Sequence, residues 1–249
     1  EKDLQKALTI SPQEWRNWDK LIHHFSSQEN IEAALKLSTE AIQKFDENFM
    51  LRIQHAGLLL DNGQYDACLN ILSNTKVLPF EGSIQGKQIY EVAHLYKAVE
   101  AIEKAHYEKA ISEIEQSKAW PENLGSGRPY VPDERIQDYL TAFCLEKIGQ
   151  KDNADQAIKH IVELEQKWTL VNPVNELISL MAFQKMKDDS ELKAKLNDII
   201  TNPNFSNDDI GQWVIAKYNK DLLSVQQLES RLKSQRYISL LNTIFKITG

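Results

Sequence analysis

Residues 56–72 read AGLLLDNGQYDACLNIL and set the helical pattern of the whole chain. Ala56 lies on an apolar helical stretch that Gly63 ends, and Cys68 and Leu72 mark a second helix behind the break. Glycine suits the C-terminus of a helix because it adopts a positive φ without steric cost. The stretch therefore predicts two helices joined by a tight turn.

The same pattern recurs along the sequence. Equivalent turns fall at positions 29, 63, 105 and 149, so successive turns are 34, 42 and 44 residues apart. The opening residues fit the same period, because Ala7 and Pro12 lie 34 residues before Ala41 and Asp46. A period of 34 in a helical chain is typical of tetratricopeptide arrays of paired helices.

The repeat from Trp15 to Asn48 resembles the tetratricopeptide pattern in its first-helix Trp18 and Leu21, although Ile22 and Ser38 replace the usual glycine and aromatic residue. The resemblance implies an all-α, tetratricopeptide-like right-handed superhelix of antiparallel helix pairs. Small residues at regular intervals support this fold, because they let neighbouring helices approach closely. No strand alternation competes with it.

This fold predicts three regions. Residues 1–12 read as the second helix of a truncated repeat, and residues 13–168 as four repeats with inserted loops at 78–88 and 120–132. Residues 169–249 read as irregular helical pairs and capping helices, with helices expected from Pro173, Glu191, Asp209, Leu222 and Tyr237. We expect the chain to be a piece of a larger protein.

The two inserted loops carry a second resemblance. They contain Glu81-Gly82 and Pro121-Glu122-Asn123-Leu124-Gly125, and together they resemble the repeat region of a family of large bacterial proteins. In that family a β-sandwich region, similar in appearance to carbohydrate-active enzymes, precedes the repeats. The resemblance implies an interaction region within a multidomain protein.

The loops leave three interpretations open. They are structural filler with Trp120 and Phe80 as plugs, a docking surface for another domain, or a small-ligand site. Prolines stiffen the second loop, and its glycines permit close backbone approach. The candidate binding residues of the loops are Glu81, Lys87, Glu122, Asn123, Arg128 and Tyr130.

The inner face of the array is a second candidate surface. First helices usually line this groove; the first repeat contributes polar Arg16, Asp19 and His23, and the later repeats contribute mainly apolar residues. The candidate groove residues are Met50, Ile53, Leu95, Val99, Tyr139 and Phe143. We expect a peptide, another domain or the chain's own last helices to cover such an apolar groove.

Composition excludes several other functions. The net charge is −7, and the 29 Lys and Arg residues are scattered among 36 acids, which disfavours nucleic acid and anionic membranes as partners. The two cysteines fall at apolar helix positions and read as buried thiols. Histidines lack metal-ligand spacing, so we expect no metal, no cofactor and no enzymatic activity.

These observations predict a non-catalytic scaffold that binds another protein or its own upstream domain. The alternative is an accessory region whose loops complete a carbohydrate-active site on a neighbouring domain. The compartment is not indicated by the sequence.

Overall fold

The computed structural model describes residues 1–78, 84–168, 173–232 and 235–248. Within these ranges all regular structure is helical, with fifteen α-helices, one 3₁₀ turn and no strand. The predicted all-α, tetratricopeptide-like class of helix pairs is confirmed. The 3₁₀ turn spans Glu122–Leu124. The α-helices are α1 Lys2–Ile10, α2 Trp15–Ser27, α3 Ile31–Lys44, α4 Phe49–Asp61, α5 Tyr65–Ser73, α6 Gln85–Glu103, α7 Tyr107–Ser117, α8 Arg135–Lys147, α9 Lys151–Trp168, α10 Pro173–Met186, α11 Asp189–Thr201, α12 Pro203–Ser206, α13 Asp209–Tyr218, α14 Leu222–Arg231 and α15 Arg236–Thr248.

One turn geometry recurs between the two helices of each pair. Its central residue is left-handed, and the next amide donates to the carbonyl five residues earlier, as Gln64 N does to Leu59 O at 2.8 Å. This hydrogen bond belongs to the Schellman motif, which satisfies carbonyls at the end of a helix. The left-handed residues are Glu29 (φ 57°), Gly63 (73°), Ala105 (56°), Gly149 (80°), Lys187 (58°) and Lys220 (57°).

The first four of these turns lie at residues 29, 63, 105 and 149. The last two lie in the region where the sequence pattern decays, and they join α10 to α11 and α13 to α14. The helices predicted between Pro173 and Ile247 are confirmed with boundaries shifted by a few residues. The pairing rule therefore continues through the C-terminal third of the chain.

The structure divides into two compact units. Unit 1 comprises Glu1–His94 and Ala119–Arg128, and unit 2 comprises Leu95–Lys118 and Pro129–Gly249. In unit 1, α2 packs on α3, α3 on α4 and α4 on α5, and α1 packs on α2. Leu8 of α1 and Trp15 of α2 contact a core that contains Trp18, Ile22 and Leu51.

A pair of contacts in unit 1 repeats with the predicted period. Trp18 Nε1 donates to Pro12 O at 3.0 Å, and Arg52 Nη1 donates to Asp46 O at 3.3 Å. Each donor and each acceptor lies 34 residues from its counterpart. The α1–α2 junction is thus built like the α3–α4 junction.

In unit 2, α10 is the central helix. It packs against α8, α9, α11 and α13, and it buries Glu176 along with apolar residues on nearly every side. The Cys144 thiol of α8 is fully buried, as is Cys68 in unit 1, and both are free thiols. Burial raises the pKa of Cys144 to about 12. The predicted buried thiols are confirmed.

Candidate functional site

The second inserted loop is built into unit 1 through Asn123. The side-chain Nδ2 of Asn123 donates to Leu72 O at 2.9 Å and to Thr75 O at 2.8 Å. The backbone carbonyl of Asn123 accepts from Val77 N at 2.8 Å. Carbonyls at a helix C-terminus lack partners within the helix. The Asn123 amide supplies donors to this end of α5, so its hydrogens are engaged within the chain.

Close packing fixes the rest of this loop. The Leu124 side chain is buried, and Gly125 has a φ of 72°. A Cβ at position 125 would lie only 3.0 Å from Val77 O, so both the conformation and the space require glycine. Gly86 of α6 allows a similar approach, because a Cβ there would lie 3.5 Å from Leu124.

Lys87 of α6 is held at the edge of the same loop. It is 2% exposed, its Nζ lies 2.6 Å from Glu91 Oε2, and it sits 4.9 Å from the centre of the Trp120 ring. A desolvated ammonium over an indole face is a favourable cation–π contact. Trp120 is half-buried, and the other expected plug, Phe80, lies outside the described residues.

The remaining loop candidates are on the surface. Glu122, Arg128 and Tyr130 are exposed, Tyr130 completely so, whereas Glu81 lies outside the described residues. Arg128 belongs to unit 1 and Tyr130 to unit 2. The structure therefore separates the described candidates into Lys87 and Asn123, which are buried or half-buried, and three exposed residues.

Most candidate groove residues are covered by the chain itself. Ile53, Leu95, Val99 and Tyr139 are buried, and Phe143 is half-buried. Within unit 2, the Tyr139 hydroxyl lies 3.3 Å from Thr248 Oγ1 on the last helix, α15. Burial is the main reason that the pKa of Tyr139 is raised. Helix α15 thus contacts Tyr139, a residue that was predicted to face the groove.

The exposed part of the predicted inner face lies on α2 and α4, which pack together in unit 1. Gln54 Nε2 donates to Asp19 O at 3.2 Å, which joins the two helices. Arg16, His23 and Met50 are exposed beside this contact, with Met50 at 48%. We call these five residues the α2–α4 face.

Unit 2 contains a charge cluster that the sequence did not predict. Arg135 Nε and Nη2 donate to the two carboxylate oxygens of Asp133 at 2.8 Å each, and Arg135 Nη1 lies 2.5 Å from Glu165 Oε2. Glu176 accepts from Arg135 at 3.4 Å, and Lys195 contacts both glutamates. We call these five residues the charge cluster; Asp133 precedes α8, and each of the others comes from a different helix, α8 to α11.

The charge cluster is almost completely withdrawn from water. Arg135 and Glu176 are fully buried, and Glu165 and Lys195 are nearly so. Ser179 Oγ donates to Glu165 Oε2 at 2.7 Å, which adds a hydrogen bond from an uncharged donor. Burial, followed by the nearby Glu165 charge, raises the pKa of Glu176 above its usual value. An isolated acid in the apolar segment PVNELISLMAF was the only sequence signal for this cluster.

Two histidines that look isolated in the sequence have specific partners. His55 Nδ1 lies 2.7 Å from Ser38 Oγ in the core of unit 1, and burial is the main reason that the His55 pKa is lowered. His160 Nδ1 lies 2.7 Å from Asp138 Oδ2, and Lys118 binds the other oxygen of Asp138 at 3.2 Å. Each imidazole is thereby oriented, although spacing alone did not reveal its partner.

Other site classes find no support in the described parts of the chain. No group of three or more His, Cys, Asp or Glu side chains there could hold a metal ion. Among the same residues, no helix combines the length and apolar character needed to cross a membrane.

Comparison with known proteins gives a fold likeness alone. No family model and no curated protein matches this sequence. One similar solved structure is a kinesin light chain with nearly identical TPR-like repeats from Podospora anserina, 14% identical to this chain. The match covers 84% of this chain and 98% of that one, with a TM-score of 0.42.

Proposed function

We propose that this chain is a non-catalytic interaction scaffold of a larger bacterial protein, and that it binds a polypeptide on the α2–α4 face. The bound polypeptide is a domain of the same protein or a separate protein. The observation that supports this surface most is the contrast in exposure: Met50 is 48% exposed, whereas the later groove candidates are buried or half-buried.

The chemistry of the α2–α4 face suits a polypeptide. Arg16 and Asp19 supply both signs of charge, and His23 adds a ring that donates and accepts hydrogen bonds. Met50 adds a flexible apolar side chain, which adapts well to irregular partner surfaces. Arg16 is partly pre-positioned, because its guanidinium lies 4.7 Å from the centre of the Trp15 ring.

The paired histidines do not support catalysis. Ser38 and His55 are both buried, so a substrate has no access to their hydrogen bond. His160 is half-exposed and oriented by Asp138, but no Ser, Thr or Cys side chain of the described residues hydrogen-bonds to it. A nucleophile within hydrogen-bond reach of the base is the usual signature of covalent catalysis. A scaffold function needs neither pair to react.

The carbohydrate-accessory alternative depends on Glu122 and Arg128, the exposed charged residues of the second loop. It predicts that Glu122→Ala or Arg128→Ala lowers turnover of the parent protein without changing its stability. The scaffold function predicts unchanged turnover for both variants. Measuring turnover of the whole protein with each variant separates these two functions.

Site-specific photo-crosslinking in the whole protein tests the proposed surface. A photoreactive amino acid at Met50 should give a specific crosslinked peptide, and the peptide identifies the partner as intramolecular or separate. The matched control is Ile200 of α11, which is 47% exposed and should give none. Equal crosslinking at the two positions, or none at Met50, would contradict binding on the α2–α4 face.

A further inference from the structure

Helices α13 and α14 of unit 2 pack together, and a groove of about 280 Å³ lies between them. The floor of the groove is apolar, because Ala216 and Leu228 are buried and Ile215 is half-buried. The six other lining residues carry polar side chains: Gln212, Asn219, Asp221, Ser224, Gln227 and Arg231. We call these nine residues the α13–α14 groove.

The charged side chains of the α13–α14 groove are engaged within unit 2. Arg231 Nη1 lies 3.3 Å from Asp209 Oδ1. Asp221 Oδ2 accepts from Ser224 Oγ at 2.6 Å. One base and one acid line the groove, so its formal charge is zero. Because a nucleic acid requires an excess of basic groups, the groove is better matched to an uncharged ligand.

Two carboxamides of the groove have no partner in the described part of the chain. Asn219 and Gln227 are exposed, and their side chains make no hydrogen bond to a described residue. Gln212 is different, because its Nε2 donates to Ser206 O at 3.1 Å. A carboxamide both donates and accepts hydrogen bonds, as a backbone amide does. Asn219 and Gln227 therefore match the hydrogen-bonding groups of a polypeptide backbone.

The size of the groove favours an extended segment over a compact ligand. Its volume lies below the range of about 300 to 1,000 Å³ that is usual for small-molecule pockets. Gln212 and Asn219 are seven residues apart, so this wall is about 10 Å long at about 1.5 Å per helical residue. An extended chain covers that distance with about three residues.

Leu223, in the first turn of α14, adds an apolar surface beside the groove. It is 74% exposed, and it lies four residues before Gln227, so the two side chains are neighbours on the helix surface. An acid occupies the equivalent position, three residues after the left-handed turn residue, in the first four pairs: Glu32, Asp66, Glu108 and Asp152. Acids are favourable there because they interact with the positive end of the helix dipole. An exposed leucine gains neither this interaction nor burial, so the fold does not account for Leu223.

We infer that the α13–α14 groove binds a short, extended and uncharged segment of a separate polypeptide. The backbone of this segment hydrogen-bonds to the carboxamides of Asn219 and Gln227, and one of its apolar side chains packs on Leu223. All nine lining residues come from α13, α14 and the turn between them, so no other described segment of this chain closes the groove. The site lies in unit 2, whereas the α2–α4 face belongs to unit 1.

Selection of random linear peptides displayed on phage, with the whole chain as the target, tests this site. The selected peptides should include a class with few charged residues, and fluorescence polarisation of the labelled peptides then gives their dissociation constants. Gln227→Ala and Asn219→Ala should each weaken this class about fivefold for one lost hydrogen bond. Leu223→Ser should weaken the same peptides.

The chain offers a matched control for two of these substitutions. Gln226 is exposed like Gln227, and Leu222 is 73% exposed, but each lies about 100° around α14 from its neighbour and neither lines the groove. Gln226→Ala and Leu222→Ser should therefore leave binding unchanged. Circular dichroism of every variant verifies that these surface substitutions keep the fold.

Peptides that bind the α2–α4 face respond to Met50→Ala and not to Gln227→Ala, so failure of that face is distinguished from failure of this groove. The inference is overturned if no selected peptide depends on both Gln227 and Leu223. It is also overturned if the peptides that depend on them are predominantly charged, or if Gln226→Ala and Leu222→Ser weaken binding equally.

Discussion

Replacing Asn123 with alanine distinguishes a structural loop from a ligand-binding loop. The substitution removes two hydrogen bonds, which Asn123 Nδ2 donates to Leu72 O at 2.9 Å and to Thr75 O at 2.8 Å. Each hydrogen bond contributes about 1 kcal/mol, so we expect the free energy of unfolding of unit 1 to fall by about 2 kcal/mol. The loop would lose its attachment to the end of α5, although the backbone contact from Val77 would remain.

Urea denaturation followed by circular dichroism measures this loss. Glu122→Ala is the matched control, because the adjacent Glu122 side chain is exposed, and it should change stability by less than about 0.5 kcal/mol. The structural account of Asn123 is refuted if Asn123→Ala is as stable as the wild type. It is also refuted if both variants lose the same stability, since the two hydrogen bonds would then explain nothing.

Two further predictions concern the turns and the buried histidine. Ala105→Gly should stabilise the chain by about 1 kcal/mol, because Ala105 has a φ of 56° and glycine adopts a positive φ without steric cost. Gly149→Ala should destabilise the chain by a similar amount. A Cβ at position 149 would meet no atom within 4 Å, so the loss would come from backbone conformation alone. Opposite shifts in melting temperature would confirm this, and shifts of the same sign would contradict it. The stability of unit 1 should fall as pH drops below 6.5, the usual pKa of histidine. Below this pH the unfolded state binds a proton at His55, whereas the folded state does not because burial lowers the pKa of His55. In urea titrations His55→Gln should lose this dependence, whereas the exposed-site variant His106→Gln should keep it; an unchanged dependence in His55→Gln would contradict the assignment.

The turns show how far local sequence predicts this fold. Glycine marks the left-handed turn position at Gly63 and Gly149, and the 34-residue period locates Glu29. Ala105 lies 42 residues after Gly63 and is located instead by the similarity of residues 105–108 to residues 63–66. The later pairs turn at Lys187 and Lys220, where no glycine marks the position and the local signal is therefore weak. The helices in this region were still predicted, because apolar residues keep helical spacing there although the turn residues carry no glycine.

The second inserted loop shows which contacts could not be predicted from local sequence. Proline and glycine in the second loop predicted stiffness, and Gly125 is indeed left-handed. The sequence did not show that Asn123 would cap a helix about 50 residues earlier, because this contact arises from tertiary packing. The functional role proposed for Glu122, Arg128 and Tyr130 remains a prediction.

The charge cluster could not be predicted from the spacing of its members. Arg135, Glu165, Glu176 and Lys195 lie on four helices, and all but Glu176 resemble ordinary surface charges in their own segments. Burial of α10 on nearly all sides forces Glu176 inward, and its partners follow from helix packing. Long-range ionic contacts of this kind have no local periodicity to reveal them.

The central structural claim is that one turn joins every helix pair, in both units. Amide exchange at the six residues that follow the left-handed positions tests it most directly: Asn30, Gln64, His106, Gln150, Asp188 and Asp221. Each amide donates to a carbonyl five residues earlier at 2.8–3.1 Å, so all six should exchange slowly although they lie between helices. Exchange at the rate of open-loop amides, in either the first four turns or the last two, would contradict the claim.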